Sequence, residues 1–472
     1  MKDYLDAARA RGYNPKALTL GETIELAQGP GISVSDVVLD EAQYRSGLSF
    51  DEVIDSIEGA FHHNLKALEI GLTTGSSFLF GQCASELAEN DFARKIIDDE
   101  FINKAVVYTL AAQIGNHTVG LEPCAGTGDS CPYTGLFKVM MEQTEREKAL
   151  RATAVMLKVG TLFRSGKTTT GCNMEGFGAG SAATAAALVE LWGGSPTEVG
   201  KAVVLALSPT IAVPCTPRVM VAGLCANHIG TAILNGALAA KLVLLTGIPV
   251  NVPVDVMMAL AQAVHPISAE HVVPTVISYL QPFFKKNPEV EKYVAPEVRK
   301  REREAINQKV AEALEESRKM AARSNCIIRP FGEAVVGGSS QAVGSPTNAA
   351  RIAHELASGD VKRVKIELYP ELFARRGINV PGILMGAVYG SSTGDSRMYS
   401  EVLGKVLAED IAVEILEVEE PQLQRITIET TGSSSMVDSL NRGGGRLVIR
   451  DARPSRDAAI IAAEKLGIVV VD

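Results

Sequence analysis

The chain has 472 residues, enough for two or three domains around a large core, and 46% of them are hydrophobic while only 5% are aromatic. A formal net charge of −9, with no Lys/Arg-rich block of the kind that tracks phosphates, excludes a nucleic-acid binder. The opening MKDYLDAARARGYN carries charges where an export signal needs an apolar core, and the seven cysteines are odd in number, so reduced thiols in a cytoplasmic protein are expected.

Residues 1–290 read as all-helical. DEVIDSIEGAFHHNLKALEIGL and SAATAAALVELWGG place apolar residues three and four apart, the spacing of one helix face. Gly-rich turns separate such segments: LTTGSSFLFGQ, PCAGTGDSCPYTG and GCNMEGFGAGS. The abundance of small residues predicts helices in close contact. The longest charge-free stretch, Val219 to Ala240, holds Asn227, His228 and Asn235 and reads as a helix buried in a domain, not a membrane span. Residues 291–325 form a strongly charged run, expected to be a solvated linker helix.

From residue 326 to 472 the pattern changes. VKRVKIELYP, DIAVEILEVE, RITIETTG and GRLVIRD are short β-type runs, interleaved with the helical SPTNAARIAHELA and DAAIIAAEKLG. The expected fold is therefore α+β and multidomain: an all-helical domain followed by a smaller α/β sandwich.

One stretch, GKTTTGCNMEG from Gly166 to Gly176, has two readings. As a phosphate-binding loop it needs a glycine at position 161, which is Thr161, so the register fails. The second reading starts from Cys172 and adds Cys215 and Cys225 downstream. A structural zinc site pairs cysteines two to four residues apart, and none of these is so paired. Three separated thiols suit an iron–sulfur cluster with one iron lacking a protein ligand, or else three inert buried cysteines. The spacing alone leaves both open.

GCNMEGFGAGSAATAAALVELWGGSPTEV resembles the first cluster-cysteine segment of iron–sulfur-dependent L-serine dehydratases, with Cys172 and Glu175 on matching positions. Cys215 and Cys225 flank a short loop as that family's next two cluster cysteines do. EPCAGTGDSCPYTGL is similar to its substrate loop: Pro123, Gly126 and Pro132 match, while Cys124 and Ala125 replace Thr and Asn. LEIGLTTGSSFLFGQ resembles a second Ser/Gly-rich loop of the active site. In the C-terminal part, VVGGSSQAVGSPTNAARIAHEL, VKRVKIELYPELFARRGINVPGILMG and SLNRGGGRLVI resemble pieces of the family's other domain, here in permuted order. The family's Ser-Ser-Ser-His becomes Gly338-Ser339-Ser340-Gln341, and its Gly-Lys-Gly-His loop becomes Ala374-Arg375-Arg376-Gly377. Both histidines of that domain are replaced, and the chain ends GIVVVD without the family's terminal cysteine.

The resemblance implies a [4Fe–4S] cluster on Cys172, Cys215 and Cys225, and a lyase that removes water from a small β-hydroxy acid or amino acid. It also implies a homodimer that acts on a small-molecule carboxylate and binds no nucleic acid or membrane. Substrate contacts fall on Thr74, Ser76, Ser77, Cys124, Gly126, Thr127, Ser339, Ser340, Arg375 and Arg376. His117 and His228 are candidate replacement bases, histidine being the side chain most easily tuned near neutral pH. Lys167 is a candidate carboxylate contact, with a solvated lysine as its alternative. His265 and His271 read as loop or capping residues, and His62, His63 and His354 as structural. Three other readings stand beside the dehydratase: an L-cysteine desulfidase, a dehydratase of a hydroxymethyl dicarboxylic acid, and a non-catalytic amino-acid or redox sensor.

Overall fold

A computed structural model gives the fold and describes residues 2–79, 81–118, 130–164, 177–213, 224–324, 326–328 and 344–471. The chain divides into two compact units, Met1–Ser317 and Arg318–Asp472. The first unit is built from α1 (Lys2–Ala10), α2 (Leu20–Gln28), α3 (Val34–Ser46), α4 (Phe50–Gly59), α5 (His62–Leu72), α6 (Cys83–Phe92) and α7 (Glu100–Thr118). It continues with α8 (Cys131–Gln143), α9 (Arg146–Arg164), α10 (Ala179–Leu191), α11 (Pro196–Leu207), α12 (Leu224–Leu245), α13 (Val254–Leu280) and the single turn α14 (Pro288–Glu291).

Local chemistry starts several of these helices. Thr19, Ser33, Ser49 and Ser195 each accept the backbone N–H three residues on, while Glu22, Asp36, Glu52 and Glu198 reach back to the cap. Each such box satisfies donors that the first helical turn leaves over. Packing then depends on small residues. A Cβ at Gly71 of α5 would lie 1.9 Å from the Ala111 carbonyl oxygen of α7, and one at Gly115 of α7 would lie 1.7 Å from that of Ala67. Only paired glycines let α5 and α7 cross backbone to backbone. Helix α10 is buried on every side, with Glu190 alone between Ala179 and Leu191 not buried, which is where an all-apolar helix belongs.

The charge-free stretch falls largely in α12. Ala226–Leu245 is long and apolar enough to cross a membrane, yet half of it is buried inside the protein. Gly236 of α12 lies against the Ser181 carbonyl oxygen and Thr184 of α10, and Asn235 Nδ2 donates to the Ala206 carbonyl oxygen at 2.8 Å. Polar contacts of that kind suit a protein core better than lipid.

The charged run forms α15 (Pro296–Arg323), none of whose residues is buried. It is not a free-standing linker: Lys309 lies over the Tyr279 ring of α13 at 5.2 Å, and the boundary between units falls within its last two turns.

The second unit holds β1 (Val361–Leu368), β2 (Ala412–Glu417), β3 (Leu423–Thr430), β4 (Ser434–Asn441) and β5 (Leu447–Arg453), ordered β2-β1-β3-β4-β5. β1 and β2 run parallel; the other neighbours are antiparallel. Its helices are α16 (Gly344–Leu356), α17 (Pro370–Ala374), α18 (Arg376–Tyr389), α19 (Ser396–Ala408) and α20 (Arg456–Lys465). Alternate residues Val364, Ile366, Ile426, Ile428, Val437 and Ile449 face one side and share a core with α16, α18 and α20. The opposite face is charged, and Asp438 receives Arg425 and Arg450 at 2.7 Å each. The architecture is thus a mostly helical unit followed by a small α/β unit with a mixed sheet.

Candidate functional site

The polar end of α7 is where the first unit concentrates reactive groups. Helix α7 is apolar through YTLAA and then turns polar at Gln113, Asn116, His117 and Thr118. Residues four apart share a helix face, and Gln113 Nε2 lies 2.8 Å from His117 Nε2. On the other side of the ring, Ser77 Oγ lies 2.7 Å from His117 Nδ1. Ser77 is buried at 2% exposure and also accepts the Leu79 N–H at 3.1 Å.

The loop that carries Ser77 is shaped locally. Ser77 and Gly81 exchange backbone hydrogen bonds at 2.8 Å, closing a tight turn. Thr118 Oγ1 accepts the Ser76 N–H at 3.2 Å, which ties the loop to the end of α7. The α5–α7 glycine crossing fixes α7, which holds His117, against α5, which leads into the Ser77 loop. Thr74 and Ser76 in the same loop are exposed.

Gln113 also faces Cys131, the first residue of α8. The Cys131 thiol donates to Gln113 Oε1 at 2.9 Å, and Asn116 Nδ2 donates to Cys131 Sγ at 3.2 Å. Cys131 is fully buried. One continuous hydrogen-bonded chain therefore runs from Asn116 through Cys131, Gln113 and His117 to Ser77. Part of the His117 ring meets solvent, yet the protein packed around it pushes its pKa below the ordinary histidine value through loss of hydration.

Helix ends converge on the first turn of α8. A Cβ at Gly160, near the end of α9, would touch the Tyr133 ring at 2.7 Å. One at Gly180, at the start of α10, would sit 3.3 Å from Pro132 and 3.4 Å from Ala232 of α12. Phe177 meets the His228 ring edge-on, centroids 4.7 Å apart. Beside this turn, Asn64, Ser130, Tyr133, Gly160 and Thr161 line a pocket of about 150 Å³. Asn64 Nδ2 donates to Thr134 Oγ1 at 3.0 Å across α5 and α8.

Of the residues picked out from sequence, His117 and Ser77 are in contact, and His228 lies at the start of α12 near Phe177. Cys124, Gly126, Thr127, Lys167, Cys172, Cys215, Ser339 and Ser340 lie outside the described residues, as does the Cys225 side chain. In the second unit, Arg375 pairs with Glu371 at 3.3 Å. Arg376 donates to the Phe373 carbonyl oxygen at 3.1 Å and lies over that ring at 4.7 Å. Both arginines are exposed. Among the described residues, no group of three or more His, Cys, Asp or Glu is placed to hold a metal.

Sequence reading missed Gln113, Asn116 and Cys131 as members of the site. The signal present was the Gln113–His117 spacing of four in an otherwise apolar helix. The chain matches no family model, and no curated protein matches it.

Proposed function

We propose that the protein is a [4Fe–4S]-dependent lyase that eliminates water from a small β-hydroxy acid or β-hydroxy amino acid, in the manner of serine dehydratases. In this reading the helical unit is the catalytic, alpha-like part and the α/β unit the beta-like part. Cys172, Cys215 and Cys225 would hold the cluster. The observation that carries the reading is the convergence of α9, α10 and α12 on the first turn of α8. Cys172 lies in the connection from α9 to α10, Cys215 in that from α11 to α12, and Cys225 at the start of α12. Thiols from two connections, the second running into α12 at Cys225, with α9, α10 and α12 packed around one point, fit a cluster that needs three protein sulfurs.

When bound, such a cluster supplies an iron without a protein ligand that acts as a Lewis acid toward a hydroxyl leaving group. The chain's own residues would do the rest. The buried Ser77 hydroxyl, backed by His117, would bind a carboxylate oxygen and steady the charge that develops as the α-proton leaves. His228 is the candidate base.

The test is anaerobic purification with iron and sulfide analysis. A protein that stays colourless and metal-free after anaerobic reconstitution would falsify the proposal. With a cluster formed, Cys172→Ser, Cys215→Ser and Cys225→Ser should each abolish it, while Cys83→Ser should retain it. Turnover assays then divide the chemistry: 2-oxo acid from serine, sulfide from cysteine, or an alkene from a hydroxymethyl dicarboxylate. Tight amino-acid binding without turnover would assign a sensor instead. The reading includes a cytoplasmic homodimer, for which sedimentation of the purified protein is the check.

A further inference from the structure

The segment that leaves α13 carries groups that the site on α7 does not use. From Leu280 to Glu291 it reads LQPFFKKNPEVE, with aromatic rings and charges of both signs side by side. It turns back through a 3-10 turn, Gln281–Phe283, and through α14 into α15. A cavity of about 1000 Å³ lies between these elements and Phe78, at the upper end of the range for small-molecule sites. Phe78, Pro282, Phe284 and Val290 give it an apolar wall, and Glu302 and Ala305 of α15 also line it. Phe78, Phe284 and Val290 are exposed, so this wall stands in water.

The charges around the cavity are unequally committed. Lys286 and Glu302 pair with each other. Lys285 Nζ donates to the Phe78 carbonyl oxygen at 2.6 Å and lies over that ring at 4.6 Å, and among the described residues no carboxylate pairs with it. An ammonium has three N–H donors, so two remain on Lys285 for a ligand. Among the described residues no cation pairs with the Glu291 carboxylate either. The cavity therefore offers one uncommitted cation, one uncommitted anion and an apolar wall. A simple anion would meet Glu291, and a simple cation would meet Lys285. A zwitterion with an apolar body satisfies all three.

We propose that this cavity binds a free α-amino acid with a large apolar side chain. Lys285 donates to its carboxylate, Glu291 accepts from its ammonium, and Phe78, Phe284 and Val290 cover its side chain. The same Lys285 ammonium holds the Phe78 carbonyl oxygen, one residue after Ser77. A bound ligand thus steadies the loop whose Ser77 Oγ lies 2.7 Å from His117 Nδ1. The site is distinct from the one on α7, and its ligand chemistry does not depend on the lyase reading or on a cluster.

The experiment is a ligand-observed NMR titration of the full-length protein with L-phenylalanine and L-leucine. At least one of them should bind saturably, and glycine, which has no apolar body, should not. For L-phenylalanine, removing either charge from the ligand should weaken binding about fivefold, the worth of one partly exposed charge pair. The probes are 3-phenylpropionate, without the ammonium, and 2-phenylethylamine, without the carboxylate. Lys285→Met and Glu291→Gln should each weaken the amino acid by a similar factor. Glu289→Gln, which removes a neighbouring charge that pairs with Lys292, should bind as wild type does. No binding of either amino acid would overturn the proposal. So would unchanged binding in Lys285→Met and Glu291→Gln, or an equal loss in Glu289→Gln, which would reduce the effect to net charge. Equal affinity for 3-phenylpropionate would remove Glu291 from the site and overturn the zwitterion. The link to the loop has its own readout: saturating ligand should shift the His117 ring resonances in wild type and leave them in place in Lys285→Met. Binding that leaves His117 unmoved in wild type would overturn that link.

Discussion

Two buried polar networks of the helical unit are built on opposite plans. Between α3 and α9, Lys158 Nζ donates to Glu41 Oε2 at 2.6 Å and to the Leu18 carbonyl oxygen at 2.8 Å. Glu41 Oε1 accepts the Leu18 N–H at 3.3 Å, with Arg45 at 3.6 Å. Both side chains of the Lys158–Glu41 pair are buried, and the network closes on itself apart from the exposed Arg45. The chain from Asn116 to Ser77 is likewise buried at Cys131 but ends on a ring that meets solvent and a hydroxyl in a short loop. A closed network has no direction and no place for a ligand. An open one has both, which is why the second is the functional candidate although the first has the stronger charges.

Breaking the closed network should have the largest effect on stability. Lys158→Met leaves the buried Glu41 with Arg45, at 3.6 Å, as its remaining cation and should cost up to about 3–5 kcal/mol, the usual penalty for removing one partner of a buried pair. Replacing both, Lys158→Met with Glu41→Leu, should recover most of that loss. Urea unfolding of the purified protein measures each. A Lys158→Met variant as stable as wild type would mean that the pair is solvated in solution and the comparison fails. Cluster content, where a cluster forms, should be unchanged in the double variant.

Next in size is the crossing that sets the open network. Gly115→Ala puts a Cβ 1.7 Å from the Ala67 carbonyl oxygen, and backbone must move to admit it. The expected loss is about 1–3 kcal/mol. Because α5 leads to Ser77 and α7 carries His117, the same change should disturb the Ser77–His117 contact, read as a shift of the His117 ring resonances in NMR, which Lys158→Met should leave alone. Gln113→Leu should cost less, about 1–2 kcal/mol, since it removes the amide's hydrogen bonds to the Cys131 thiol and to His117 Nε2. Equal losses for Gln113→Leu and Lys158→Met would erase the distinction between the two networks.

How much of this was legible in the sequence differs by element. Four of the five strands announce themselves by β-branched alternation, as in VKRVKIEL. β4, SSMVDSLN, does not, because Ser435 and Ser439 point inward: Ser435 Oγ donates to the Ala353 carbonyl oxygen at 2.7 Å, and Ser439 pairs with Gln424. A polar core position destroys the very pattern that betrays a strand. The site behaves similarly. His117 stands out at the polar end of a helix and Ser77 in a polar loop, but Cys131 is 18 residues from Gln113, and only tertiary packing brings its thiol to that amide. The glycines of the crossing were visible as composition, while their pairing required the two helices to be placed.

The smallest expected effect is the one that separates the networks by pH. Burial lowers the folded-state pKa of His117 below its ordinary 6.5, so on acidification the unfolded chain takes up a proton before the folded one does. Stability therefore rises with pH up to that ordinary value; the His117 contribution is complete above it and is lost as pH falls below it. His117→Gln removes this dependence. Wild type should lose more stability between pH 7 and pH 5 than His117→Gln does, as measured by urea midpoints at the two values. The difference between the two proteins isolates His117 from the carboxylates that titrate in both. Parallel losses would mean that the ring protonates as readily folded as unfolded, and that the open end of the chain is more hydrated than its burial implies.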